Sequence, residues 1–257
     1  MQAKPIWIRT KVRTSISVAK SIDRLKELDM SSEKETPPQT ITSTVYNQIR
    51  SDILQGRLQP KERLRVESLR EKYSTSASPV REALSRLSAH DLVVNHENRG
   101  FRVPDVSRDE LLELYETREW LEVKALRDSI ANGDVAWEED VVLAQHRLNR
   151  VSRCTDTQSH EPNPAWGDVH RAFHLSLIAA CGSRWLIRFC GQLHDLADRY
   201  RQLAVVTADN VRDSLEEHEA IAQASTNRDA DRACELLIAH YERTRDIVLD
   251  ATPSVFD

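Results

Sequence analysis

From Ile41 to Pro104 the apolar positions first recur at helical spacing and then change period. Val45, Ile49, Ile53 and Leu54 follow Ser43 and Thr44 at helical intervals. Gly56 and Pro60 then supply a left-handed terminal residue and one that cannot continue a helix. A second short helix is predicted from Val66 to Tyr73, with Leu69 turned inward. Ser78 is a good N-cap and Pro79 fits the first helical position, where its missing N–H costs nothing, so a third helix is expected to start there. Ala83, Leu84 and Leu87 give that helix an inner face, while Arg81, Ser85 and Arg86 can reach outward. Leu92 to Val94 reads as a strand, Glu97 to Gly100 as a turn and Phe101 to Val103 as the returning strand. Three helices followed by a β-ribbon make a winged helix-turn-helix, which implies DNA binding.

From Ser107 to Ala251 the pattern becomes helical only. Leu111, Leu114, Tyr115, Leu121 and Ala125 form one stripe. Others join Val142 with Leu148, Phe173 with Leu177, Leu186 with Leu193 and Leu196, Leu215 with Ala222, and Leu236 with Ile247. Breaks at Asn132-Gly133-Asp134, Glu161 to Pro164, Cys181 to Ser183, Thr207 to Asn210 and Thr226 to Asp229 divide the stretch into six or seven helices. No internal repeat of constant period occurs, so a compact antiparallel bundle is preferred over a solenoid. The fold class expected is mainly α, a small winged domain followed by an all-α bundle. The organisation is residues 1–40 as a flexible extension, 41–104 as the winged domain, 105–251 as an effector and dimerisation domain, and 252–257 as a tail.

Charge sharpens this division. Residues 1–104 hold 19 Lys and Arg against 12 Asp and Glu, a balance of +7, whereas 105–257 hold 17 against 29, a balance of −12. The front can neutralise phosphates and the rear is repelled by them. Lys4, Arg9, Lys11 and Arg13 in the N-terminal arm could add a DNA contact, but a solvated tail is the simpler reading. No apolar run has the length needed to span a bilayer, and the basic MQAKPIWIRTKVR start lacks the core of a signal peptide, so no membrane partner and a cytoplasmic location are expected. Cys154, Cys181, Cys190 and Cys234 show no CxxC spacing and read as small core residues.

The candidate chemistry of the rear half lies in its histidines. His170 and His174 are four apart and share a helix face with Phe173, Leu177 and Cys181. His218 shares a face with Leu215, Ala222 and Ser225, and His240 with Ala233, Leu236, Thr244 and Ile247. A lone inward histidine is usually a hydrogen-bonded core residue, but four on three helices change the balance. Burial disfavours the imidazolium, and neutral imidazole is the form that binds Zn²⁺, Ni²⁺ and similar ions. Arg118 is a second oddity, since spacing puts it in an apolar stripe where a guanidinium needs an anion. That anion is either Glu122, four residues on, or a ligand carboxylate received by a charge-assisted pair.

The stretches YNQIRSDILQGRLQPKERL, SPVREALSRL and RGFRV, in order over about 60 residues, resemble the DNA-binding domain of the GntR family of bacterial transcription regulators. Relatives usually show PGERL where this chain has Pro60-Lys61-Glu62-Arg63-Leu64, and GLV where it has Asp91-Leu92-Val93. Where Ser-Arg-Thr-Pro is typical, Ser76-Ala77-Ser78-Pro79 stands, without the arginine that usually contacts DNA. The resemblance implies Ser76, Ser78 and Arg81 at the recognition helix, Arg65 and Arg86 for phosphates, and His96, Arg99 and Gly100 in the wing. Residues 108–250, with FHLSLIAACGS, EHEAI and LLIAHYERT, resemble the FCD (FadR C-terminal-type) effector domain. Metal-binding members place an Asp four residues before a first histidine and two more histidines in the last two helices. That pattern implies His174, His218 and His240 as ligands of a divalent metal, Zn or Ni, with His170 where the aspartate is usual. It also implies that Arg118, in Arg118-Glu119-Trp120-Leu121-Glu122, faces a ligand cavity. Arg184, Arg199 and Tyr200 are further pocket candidates, with surface packing the favoured role.

Together these readings give a ligand-responsive regulator. A homodimer is expected to bind a palindromic double-stranded DNA operator, with a small carboxylate effector beside the metal. The alternatives are a metal sensor with no organic effector and a helical metallohydrolase fused to a DNA-binding domain. Against the hydrolase, the chain has no HExxH, serine elbow or Gly-rich phosphate loop.

Overall fold

The structure, a computed structural model, describes residues 40–97, 99–156, 161–207 and 214–251. The N-terminal arm, including Lys4, Arg9, Lys11 and Arg13, and the 252–257 tail lie outside them. In the winged domain, α1 (Ile41–Leu54), α2 (Val66–Lys72) and α3 (Ala77–Ser88) pack around Val45, Ile49, Ile53, Leu69, Val80, Ala83, Leu84 and Leu87, all buried. Gly56 closes α1 with a φ of +66°, the left-handed geometry its position predicts. Asp52 is buried in α1 and accepts from Arg57 Nε at 2.6 Å and Tyr73 Oη at 2.7 Å, with Lys72 Nζ at 2.7 Å. Burial alone would raise its pKa, but these donors prevail and hold the carboxyl below its ordinary value.

Two local expectations need correction. The recognition helix starts two residues early, with Ser76 rather than Ser78 in the N-cap position and Pro79 third in the helix. Proline is tolerated there because the first-turn N–H groups have no intrahelical acceptor. The wing strands β2 (Val94–His96) and β3 (Gly100–Arg102) are also shifted from Leu92–Val94 and Phe101–Val103. Leu92 and Val93 instead plug the core. A further strand, β1 (Arg63–Leu64), pairs antiparallel with β3 and places β3 centrally, in the order β1-β3-β2.

The rear half contains α4 (Arg108–Asn132), α5 (Val135–Asn149), α6 (Pro164–Leu177), α7 (Arg184–Thr207), α8 (Leu215–Thr226) and α9 (Ala230–Ala251), six helices among the described residues. Their starts are written locally. Ser107 Oγ accepts from Glu110 N at 3.2 Å, Asp134 Oδ1 from Trp137 N at 2.9 Å, and Asn163 Oδ1 from Ala165 N at 3.1 Å with Pro164 opening α6. The expectation of helices alone fails at β4 (Cys154–Asp156) and β5 (Glu161–Pro162), an antiparallel pair carrying the chain from α5 to α6. Val142 is corrected as well: it is exposed, and Val141 faces the core with Leu148. The four cysteines are buried free thiols, and burial pushes Cys190 up to about 12.

Candidate metal centre and nucleic-acid interface

His170 and His174 on α6, His218 on α8 and His240 on α9 point into one place. Each offers a ring nitrogen, these atoms lie within 4.8 Å of one another, and all four residues are buried. They belong there because each occupies the inward stripe of its helix, among Phe173, Leu177, Ile221, Leu237 and Tyr241. Tetrahedral Zn–N bonds of about 2.1 Å hold donors roughly 3.4 Å apart, so small ring rotations would gather the set.

Hydrogen bonds fix much of the protonation pattern. Tyr241 donates its single O–H to Glu122, so at His174 Nδ1, 3.2 Å away, it can only accept. The His174 proton therefore sits on Nδ1 and its Nε2 is bare. The 3.1 Å contact between the two Nε2 atoms then uses the proton of His170. His240 Nδ1 lies 2.8 Å from Glu217 Oε2, which leaves its Nε2 for the cluster. Burial first, then Arg201 for His170 and the neighbouring imidazoles for His174, hold both well below the ordinary histidine pKa. Neutral, convergent and buried imidazoles are the donor set that a borderline divalent ion takes.

Arg118 lies at the edge of this cluster, 3% exposed, and its Nε donates to Glu122 Oε1 at 3.0 Å. Its guanidinium carbon is 4.3 Å from the Tyr241 ring centroid. Burial opposes its charge most strongly, but Glu122, Tyr241 and Tyr115 together outweigh it and keep the pKa above the ordinary value. The internal ion pair anticipated from the i,i+4 spacing is therefore present. It engages Nε, and no hydrogen bond is found for the Nη pair among the described residues. Arg118, Glu122, Tyr241 and His174 form one continuous polar chain.

Sequence reasoning missed two other groups. His194 on α7 is 3% exposed and its ring centroid is 5.4 Å from those of both His170 and His174. It falls on the buried stripe of Cys190, Ala197 and Arg201 at helical spacing, a signal the leucine pattern of that helix obscured. The other is Asp195, which accepts from Arg171 Nε on α6 at 2.8 Å and from Arg50 Nε on α1 at 3.1 Å. These contacts join the bundle to the winged domain beside a cleft of about 700 Å³ lined by Tyr46, His90, Asp168 and Arg188. Asp168, weighed as a replacement ligand, faces this cleft and is not in the histidine set. Arg199 and Tyr200 are corrected too, because neither is a surface group. Arg199 Nη1 and Nη2 donate to the carbonyls of Pro104 (3.2 Å) and Asp105 (3.0 Å), while Tyr200 Oη accepts from Ser107 N and donates to Glu110. Arg184 is exposed beside Trp185.

In the winged domain, Arg65 precedes α2, and Ser76, Ser78 and Arg81 surround the start of α3. His96, Arg99 and Gly100 form the wing tip, and all of these residues are exposed. Arg86 is exposed but turned toward α1, its guanidinium carbon 4.6 Å from the Tyr46 ring centroid. That contact competes with the phosphate role expected of it.

Fold and site together define a two-domain DNA-binding transcription regulator. Residues 41–103 match the model of bacterial regulatory proteins of the gntR family, and residues 113–243 match the FCD domain. The chain therefore belongs to the gntR family, in the branch that carries an FCD domain. It is 38% identical over 209 residues to the HTH-type transcriptional regulator BphR of Paraburkholderia xenovorans, covering 81% of this chain and 85% of that protein. It is 35% identical over 206 residues to the HTH-type transcriptional repressor GlaR of Escherichia coli, covering 78% and 93%. Among solved structures, E. coli McbR/YncC superposes with a TM-score of 0.68 at 22% identity, covering 82% of this chain and 98% of that one, which supports the fold. These relatives are regulators, so the chain is not an enzyme and the metallohydrolase alternative is set aside. FCD domains commonly bind metal, and the histidine cluster could hold one. Among the described residues, no helix is long and apolar enough to cross a membrane.

Proposed function

We propose that this regulator is a cytoplasmic homodimer that binds a palindromic operator and answers to a small carboxylate held beside a divalent metal, Zn²⁺ or Ni²⁺. The observation that carries the reading is the convergence of four buried imidazoles from three helices beside a buried arginine. His170, His174, His218 and His240 would hold the ion, which would supply a Lewis-acid position for one oxygen of the effector. Arg118 would receive the carboxylate through its Nη pair while Glu122 fixes Nε. A ligand that pulls on Arg118 also pulls on Glu122, Tyr241 and His174, so effector and metal affinities should be coupled.

In DNA binding, Arg81, Ser76 and Ser78 face the major groove, Arg65 meets phosphate, and His96, Arg99 and Gly100 form the wing contact. Changing the relation of two winged domains changes whether both half-sites are met together. Arg81→Ala should abolish operator shifts in a gel assay while the helical circular-dichroism signal stays intact; an unchanged shift would remove Arg81 from the interface. For sensing, metal and candidate acids are titrated separately into chelator-treated protein while operator affinity is followed. A response to acid only in loaded protein supports the reading. A response to metal alone assigns the protein as a metal sensor, and no metal uptake overturns the centre.

A further inference from the structure

His170 has an unmet requirement. Its Nε2–H is used on His174 and its Nδ1 has no hydrogen-bond partner among the described residues. When His170 gives its Nε2 lone pair to a metal, the ring proton must move to Nδ1, creating a buried N–H that needs an acceptor. Metal-bound histidines nearly always donate that second N–H, and the acceptor fixes ring orientation and basicity. His174 has Tyr241 for this purpose and His240 has Glu217. Close to His170, neither ring nitrogen of His194 has a hydrogen-bond partner among the described residues. Their centroids are 5.4 Å apart with 39° between the ring planes. Two imidazoles joined by an N–H···N bond of about 2.9 Å have centroids roughly 5 Å apart, so a small ring rotation would close the bond. Trp166 stacks on His170 with ring centroids 4.4 Å apart and 18° between the planes, which keeps the available ring rotation small.

We propose that His194 is a positioning residue of the metal centre: it accepts the Nδ1–H of His170 and holds that ring in the tautomer that coordinates. The inference rests on the four-histidine reading above, deepens it, and has its own test. Zn²⁺ affinity of the full-length protein is measured by competition with a chromogenic chelator for wild type, His194→Phe, His194→Gln, His170→Asp and the double variant His170→Asp/His194→Phe. His194→Phe should weaken Zn²⁺ binding by about 10–100-fold, and His194→Gln, whose carbonyl can accept, should recover most of it. With Asp at position 170 there is no ring N–H to satisfy, so His194→Phe should cost less than about twofold in that background, the signature of a specific pair. The d–d absorption of Co²⁺-loaded His194→Gln should keep the wild-type band shape, because the coordinating atoms are unchanged. Equal affinity of wild type and His194→Phe, equal losses in both His170 backgrounds, or an altered Co²⁺ spectrum in His194→Gln would each overturn the inference while leaving the metal centre standing. Absence of Zn²⁺ uptake by wild type would instead sink the centre itself.

Discussion

Lys61 and Asp91 sit in the left-handed region, with φ of +67° and +58°, at the two positions where the family pattern usually shows glycine. A side chain there meets its own backbone, at a cost of about 1–2 kcal/mol, which aspartate tolerates better than lysine. The turns persist because Lys61 N donates to Val103 O at 3.1 Å and Leu92 N to Leu87 O at 3.1 Å. Lys61→Gly should therefore stabilise the protein by about 1 kcal/mol in urea unfolding, since the Lys61–Asp105 pair it removes is exposed and worth little. Lys61→Ala should give no such gain; equal stability of the two variants would refute the strain. The buried imidazoles make a second prediction at this scale. His170, His174 and His194 have folded pKa values held well below 6.5, first by burial. Above the unfolded value all are neutral and stability is at its full level. As pH falls below it the unfolded chain takes up protons that the fold refuses, so metal-free protein should lose stability by at most about 1.4 kcal/mol per imidazole per pH unit. Urea midpoints of chelator-treated protein that do not change between pH 7.5 and 5.5 would show that these rings are not held neutral.

Among the elements, the long helices were legible because burial writes a repeating stripe over many turns, as in Leu111, Leu114, Tyr115 and Ala125 of α4. Caps sharpened their starts, and Ser107→Ala should cost about 1 kcal/mol in thermal unfolding through loss of the Glu110 N bond; no loss would mean that water replaces it. The strands β1, β4 and β5 were not legible, since two or three residues carry no period and their pairing is decided by distant partners such as Arg102 and Phe101. The four clustered histidines could be gathered from spacing because each sits on an apolar face. His194 was hidden because the leucine pattern of α7 marks another face, and Asp195 because only its packed neighbours say which direction matters.

In the molecule as a whole, Asp195 is the meeting point of the two domains, with Arg50 reaching it from the DNA-reading side and Arg171 from the bundle. Gly191 lies against this pair, and a Cβ there would come within 3.1 Å of Arg171 Nη2, which would have to shift slightly. Asp195 thus follows directly on the imidazole that borders the histidine cluster, and α7 links that buried site to the winged domain. Asp195→Asn would leave two half-buried guanidinium groups facing each other, costing on the order of 2 kcal/mol. It should loosen α1 in hydrogen exchange and uncouple operator affinity from metal loading while Zn²⁺ uptake stays normal; retained coupling would rule out this route.

The grip of Arg199 and Tyr200 on residues 104 to 110 has a mechanical consequence. A connector stapled along its length to α7 cannot act as a loose tether, so the reading head should rock as a lever about that seam. Proteases should accordingly find few cuts there until the staple is removed.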